Sequence, residues 1–299
     1  MVMPTDSPDF GSRDDAIRCQ TYSPVRKLDG LPHELFALYW RDVHGPLCAR
    51  LPGLGFYVQH HFSRERRANL WPRPKGVRNI DVVLDGAVEI GFANNEDEAE
   101  FIGASPILFG DEVNIFGWDA AFRLPSGSRT FIDRQANGVP NGLDEMHRLH
   151  VYLHSDDTES LRQCATTYAN LLSNQPCVRK LRLHAPEPFD NANPLPPSPV
   201  DHHVVDDMLT IAVIEVGFAN ALQAQTLFGS DAFKSAQQYV SAHIQALAAF
   251  LVTGVYTYVR DGKPTAAGLR GSRTAEIIEQ IGAVNHLEPA VTDLFLRQR

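Results

Sequence analysis

Apolar positions along this chain alternate between two periods, and the alternation predicts its elements. Residues 17–25 (IRCQTYSPV) read as a strand. From Leu31 to Leu51, Leu35, Leu38, Tyr39, Val43 and Leu47 fall at helical spacing until Pro52-Gly53 ends the run. Phe56 to Phe62 is a strand with Val58, His60 and Phe62 on one face and Tyr57, Gln59 and His61 on the other. A loop rich in Arg and Pro follows, then a strand over 82–93, a helical stretch from about 95 to 117 and a strand over 128–134. The remainder repeats the series: strand 147–154, helix 157–173, strand 177–184, Pro-rich loop 186–200, strand 208–218, helices 221–248 and strand 250–260. A last helix runs from Arg273 to Gly282.

The order of elements is duplicated because the sequence is. Val88 to Asn94 reads VEIGFAN and Ile214 to Asn220 reads IEVGFAN, 126 residues on. Leu108-Phe109-Gly110-Asp111 is echoed by Leu227-Phe228-Gly229-Ser230, and Thr130-Phe131-Ile132 by Thr257-Tyr258-Val259. Several matches in one order at nearly one period indicate two homologous halves, 1–145 and 146–299, each a βαββαβ unit. Such a unit leaves one sheet face bare, so the expected architecture is α+β, two tandem units packed sheet to sheet as an intramolecular barrel. The run Leu209 to Ile214 is apolar almost without a break, as a strand covered on both faces should be.

Composition narrows the partners. The 299 residues include 36 acidic and 27 basic ones, for a net charge of −9 and a pI near 5.7. That balance offers no basic face for nucleic acid. The one dense basic cluster, Arg64, Arg66, Arg67, Arg73, Lys75 and Arg78, is interrupted by Pro and Gly and reads as a solvated or gating loop. Cys19, Cys48, Cys164 and Cys177 lack metal-type spacing and suit reduced cytosolic thiols. The polar N-terminus shows no signal core, and the longest apolar stretch, Ile244 to Tyr258, is too short and interrupted to span a bilayer. A cytoplasmic protein without membrane or nucleic-acid partners is expected, and a homodimer is compatible with it.

The segment Phe36 to Leu47 reads FALYWRDVHGPL and is followed by Leu51-Pro52-Gly53 and Tyr57-Val58-Gln59. Over about 30 residues this resembles the EthD family, which belongs to the dimeric α+β-barrel (ferredoxin-like) superfamily. The second half departs from the pattern, with Asn170 where the first has His44. The resemblance implies small-molecule chemistry, in a superfamily of cofactor-free monooxygenases, isomerases, lyases and haem-degrading enzymes, without choosing the reaction.

His44, which shares a helix face with Trp40 and Leu47, is a candidate acid or base projecting into the barrel mouth, or a histidine capping free carbonyls. His60 and His61 must point to opposite faces, and Tyr57 lies with His61, so a Tyr/His pair is available. Glu89 and Glu215 occupy matching positions on apolar strands, either as acid/base groups or as partners of an Arg nearby. Catalysis is therefore assigned to His44, His60, His61, Tyr57 and Glu89, and substrate binding to Tyr39, Trp40, Arg270 and Glu215. Arg270 lies in Gly268 to Arg273, a Gly-rich turn before a helix that could cradle an anion, with Ser272 as the helix N-cap. His150 and His154 are too far apart along one strand to share an ion, and His202-His203 with Asp206-Asp207 could hold metal only adventitiously. No metal and no organic cofactor is expected. The function read from these features is a cofactor-independent lyase acting on a small aromatic compound in catabolism. A monooxygenase or isomerase of the same superfamily, or a non-catalytic binding protein, is the alternative.

Overall fold

Every residue of the strands at Phe56–Phe62 and Ile211–Phe218 is buried, because both faces of these strands are covered. The computed structural model describes residues 9–65 and 71–296, so Arg66 and Arg67 and the first eight residues lie outside the described residues. The first half runs β1 (Cys19–Lys27), α1 (His33–Tyr39), a π-helical turn (Trp40–His44), α2 (Gly45–Ala49), β2 (Phe56–Phe62), β3 (Gly86–Phe92), α3 (Asn95–Ala104), α4 (Pro106–Glu112), β4 (Phe116–Asp119) and β5 (Arg129–Asp133). The second runs β6 (His147–His154), α5 (Thr158–Ser173), β7 (Val178–His184), β8 (Ile211–Phe218), α6 (Ala221–Gly229), α7 (Asp231–Ser241) and β9 (Ala246–Arg260), followed by α8 (Ser272–Ile281).

The strand order is β4-β1-β3-β2-β9-β6-β8-β7-β5, every pair antiparallel. Within each half the order is fourth-first-third-second, so two ferredoxin-like units form an intramolecular α+β barrel. The fourth strands make the closure. In β9, residues Ala246 to Leu251 pair with β6 of their own half, and Val252 to Val259 cross to β2 of the other. The first half does the same with a broken strand, β4 on its own β1 and β5 on β7 of the second half. The helical stretch expected from about 95 to 117 is two short helices ending at Glu112, and the strand near 128–134 is only the crossing part of the fourth strand. Likewise the helices over 221–248 stop at Ser241, and the strand expected from 208 begins at Ile211.

Alternation along the strands yields three cores. Phe56, Val58, Phe62, Tyr152, Val213 and Phe250 face inward between the sheets. Tyr57, Val88 and Tyr258 face the helices of the first half, and Leu149, Ile214 and Val216 those of the second.

Pro46 shapes the first helix. It has no N–H to return to Asp42, and the Gly45 N–H reaches back five residues to the Trp40 carbonyl, which widens the turn. The Arg41 carbonyl thereby freed accepts from the Tyr258 hydroxyl at 2.8 Å. A Cβ on Gly45 would overlap the Tyr258 ring, so the glycine is required for that approach. At the far end of the chain Ser272 is not the N-cap of α8. Gly271, at φ 88°, holds that position, and the Asp42 carboxylate accepts from the Arg273 N–H at 2.9 Å. Asn94 and Asn220 cap α3 and α6 through their side-chain oxygens.

Candidate functional site

Alternation also decides which side chains can meet a ligand. Thr21, Ser23 and Val25 of β1, and Val88, Ile90 and Phe92 of β3, point away from the barrel interior and form the floor of a cavity of about 300 Å³. Helices α3 and α4 make its far wall, and Leu195-Pro196-Pro197, from the loop between β7 and β8, close over it. A cavity of about 150 Å³ takes a benzene, so this one fits a substituted mono- or bicyclic ring.

His44 lines this cavity. It thus lies on the helix-covered face of the sheet and not at the barrel mouth. Its Nδ1 is 2.9 Å from Asp111 Oδ2, and Asp111 Oδ1 accepts from the Tyr39 hydroxyl at 2.6 Å. The His44 hydrogen bond, against burial and helped by Tyr39, holds the Asp111 carboxyl below its ordinary range, and Asp111 in return pushes Tyr39 up to about 12. A carboxylate accepting from Nδ1–H leaves the Nε2 lone pair of His44 free as a base.

An acid stands in the same wall. Burial, with the Asp119 charge beside it, pushes Glu112 up to about 8 against a Ser198 hydrogen bond and the His202 charge, so Glu112 is protonated at neutral pH. Burial opposes charging His202, but its hydrogen bonds and attraction to Asp119, 2.7 Å away, raise it to about 9. His202 is therefore buried in an ion pair and does not join His203 and Asp206. Asp207 is engaged with Arg78 at 2.7 and 2.9 Å.

Of the residues singled out in the sequence, His44 and Tyr57 meet in this cavity. Tyr57 accepts from Gln59 Nε2 at 2.7 Å, and burial keeps its hydroxyl protonated. Tyr39 supports Asp111 from behind. Trp40 is fully buried and stacks on His61 at 4.3 Å, where burial and then Arg41 hold His61 well below its ordinary pKa. The Arg270 guanidinium sits 4.4 Å over the Phe295 ring, and the helix end beside it is capped by Asp42, so no anion cradle forms there. His60, Glu89 and Glu215 belong to the opposite face of the sheets, in the barrel interior. Glu89 pairs with Arg182 at 2.9 Å and with His60 at 3.1 Å, and Glu215 pairs with Arg148 at 2.6 Å. His60, His150 and Glu215 there have metal-compatible spacing.

Sequence reasoning missed Asp111, Glu112 and Asp119, and saw His202 only as an adventitious metal ligand, whereas it pairs with Asp119. Asp111 carried a signal, since LFGD becomes LFGS in the second half just as His44 becomes Asn170. Ser230 serves there only as a cap for α7, accepting from the Phe233 N–H. In the second half Trp71, from the loop after β2, packs edge-on at 5.2 Å to Phe228 and 5.4 Å to Phe233.

No family model matches the chain, and no curated protein matches it. Among solved structures it is similar to a candidate monooxygenase from Lactobacillus acidophilus, 13% identical, covering 81% of this chain and 97% of the other at a TM-score of 0.44. It is also similar to an anthrone oxidase-like protein, 9% identical, covering 84% and 96% at 0.48. A third likeness is to a chlorite dismutase variant from Candidatus Nitrospira defluvii, 13% identical, covering 79% and 90% at 0.39. Such scores carry nothing about chemistry. The fold stands on the strand order, and the EthD likeness on its own motif.

Proposed function

We propose that the protein is a lyase that releases a small fragment from an aromatic substrate by proton transfers alone. The observation that carries this reading is His44, held by half-buried Asp111, and a protonated Glu112 lining one apolar cavity. His44 Nε2 takes the proton of a substrate hydroxyl. The adjoining C–C bond breaks, its electron pair passing to a carbon that is conjugated to a carbonyl or ring. Glu112 delivers its proton to that carbon, and transfer from the His44 imidazolium to the Glu112 carboxylate restores both groups. Tyr57, neutral at any working pH, donates a hydrogen bond to the oxygen that gathers charge. A base and an acid in one wall suit cleavage followed by reprotonation.

The test is turnover of a panel of hydroxylated aromatic ketones and phenolic acids, followed by mass spectrometry under air and under argon. Fragment release equal in both gases, falling about 10²–10⁴-fold in His44→Ala, is the expected result. Strict dependence on dioxygen with an added oxygen atom in the product overturns the lyase in favour of a monooxygenase. Binding without turnover overturns both in favour of an accessory protein.

A further inference from the structure

The barrel interior is apolar at one end and ionic at the other, and between them His60, His150, His184, Glu89 and Glu215 converge, none more than 2% exposed. They come from five strands: β2, β6, β7, β3 and β8. One ligand atom each from His60, His150 and Glu215 lies within 4.8 Å of the other two, and the same holds for Glu89, His184 and Glu215.

Each imidazole has one nitrogen held and one free. His60 Nε2 is 3.1 Å from Glu89 Oε1, His150 Nδ1 is 2.8 Å from the Tyr22 hydroxyl, and His184 Nδ1 is 2.7 Å from the Ser128 hydroxyl. His60 Nδ1, His150 Nε2 and His184 Nε2 are buried without a hydrogen-bond partner. Tyr22 can accept from His150 Nδ1–H while donating to Tyr152, 2.7 Å away, which leaves a lone pair on Nε2. Glu89 accepting from His60 Nε2–H leaves a lone pair on Nδ1.

The surrounding ions have partners of their own. Arg182 pairs with Glu89 and Asp14, Arg148 with Glu215 and Asp144, Lys180 with Asp133, and Arg260 with Asp14. These carboxylates and cations are therefore already engaged with one another. Three orphaned buried nitrogens that converge with two carboxylates suit a cation that accepts lone pairs.

We propose that His60, His150 and Glu215 bind a divalent transition-metal ion of the zinc or cobalt class, with Glu89 and Tyr22 orienting the two imidazoles. Two imidazoles and a carboxylate suit such an ion, and the carboxylate and hydroxyl behind the rings are the usual outer partners. Arg148 occupies Glu215 Oε1, and Oε2 remains for the metal. Tetrahedral ligands at about 2.1 Å stand roughly 3.4 Å apart, so binding shortens the separations, now within 4.8 Å, by about 1.4 Å at most. A cavity of about 30 Å³ bordered by His60, Glu89 and Glu215 has the volume of one water, which completes the shell. Because β2 belongs to the first half and β6 and β8 to the second, the ion staples the two halves together. It lies across the sheet from the His44 cavity, and its failure would leave the proposed activity untouched.

The full-length chain, stripped with a chelator and then desalted from zinc(II) or cobalt(II), tests this. One equivalent of metal, visible d–d bands of four-coordinate cobalt and a melting temperature that rises on saturation are expected. His60→Gln and His150→Gln should each weaken binding about 100-fold or more, Glu89→Gln about 10–100-fold, and exposed His203→Gln not at all. No retained metal, or an equivalent that survives both histidine substitutions, overturns the site. Should those variants fail to fold, X-ray absorption on the zinc-loaded wild type decides: two imidazole nitrogens support the site and an oxygen-only shell refutes it.

Discussion

Glu112→Gln should stabilise the protein while disabling it, and the size of both effects follows from one carboxyl. Its ordinary pKa of 4.5 rises to about 8 in the folded state, chiefly through burial. A group raised on folding leaves stability intact below its unfolded pKa and withdraws it as pH climbs through the folded one. Between pH 4.5 and 8 the wild type should therefore lose about 1.4 kcal/mol per pH unit relative to the variant, reaching about 3 kcal/mol at pH 7. Glutamine keeps the shape and the reach to Ser198 but has no proton to lose. Urea titrations of both proteins at pH 5, 7 and 8.5 measure the gap, and pH profiles of turnover measure the cost. The gap should be near zero at pH 5 and widen upward, and the variant should lose about 10²–10⁴ in kcat together with the alkaline limb near pH 8. A gap that does not change with pH, or an alkaline limb that persists in the variant, would refute the assignment of Glu112 as a buried acid.

Asp111→Asn places an amide that can donate to His44 Nδ1, which favours the tautomer with the proton on Nε2. Turnover should fall by about 10²–10⁴ in kcat with the circular dichroism spectrum unchanged, and nitrogen NMR of the imidazole should show the switched tautomer. Trp71→Ala removes the ring packed on Phe228 and Phe233 and should cost about 3–5 kcal/mol in chemical denaturation. It should add no second activity, because the space it opens contains neither a histidine at 170 nor a carboxylate at 230.

What the sequence disclosed depended on the range of the interaction. The period-two run of β2 placed His60 and His61 on opposite faces, and Asn94 capping α3 is a contact within one turn; local pattern suffices for both. The internal repeat exposed Glu89 and Glu215 as equivalent positions on β3 and β8. It did not expose their partners, since Arg182 reaches Glu89 across the barrel, 93 residues away. His44 was legible through its motif, but its orienting carboxylate is 67 residues downstream on α4, brought near only when helix and sheet pack. The fourth strand of the first half misled because its two functions, edging its own sheet and crossing to the other, fall on two short segments. In β9 one continuous strand performs both.

The loops between second and third strands connect the symmetry to the chemistry. Each reaches over the helix layer of the other half. The loop after β2 sends Trp71 into the second half, where Gln237 donates to the Pro72 carbonyl at 2.6 Å. The loop after β7 sends Leu195 to Pro197 over the first, anchored by Ala121 N–H to the Leu195 carbonyl at 2.8 Å and by His202 to Asp119. The same topological element is thus a plug on one side and a lid on the other. In a dimer of identical chains a tryptophan that fills one cavity would fill both, and a histidine that serves one would be present in both. A single chain with two unlike halves is free of that constraint: one half has a cavity lined by His44 and Glu112, while the other packs Trp71 against Phe228 and Phe233. The lid contributes chemistry as well as cover: His202 and Ser198 contact Asp119 and Glu112, so the acid of the proposed site is tuned by residues of the other half.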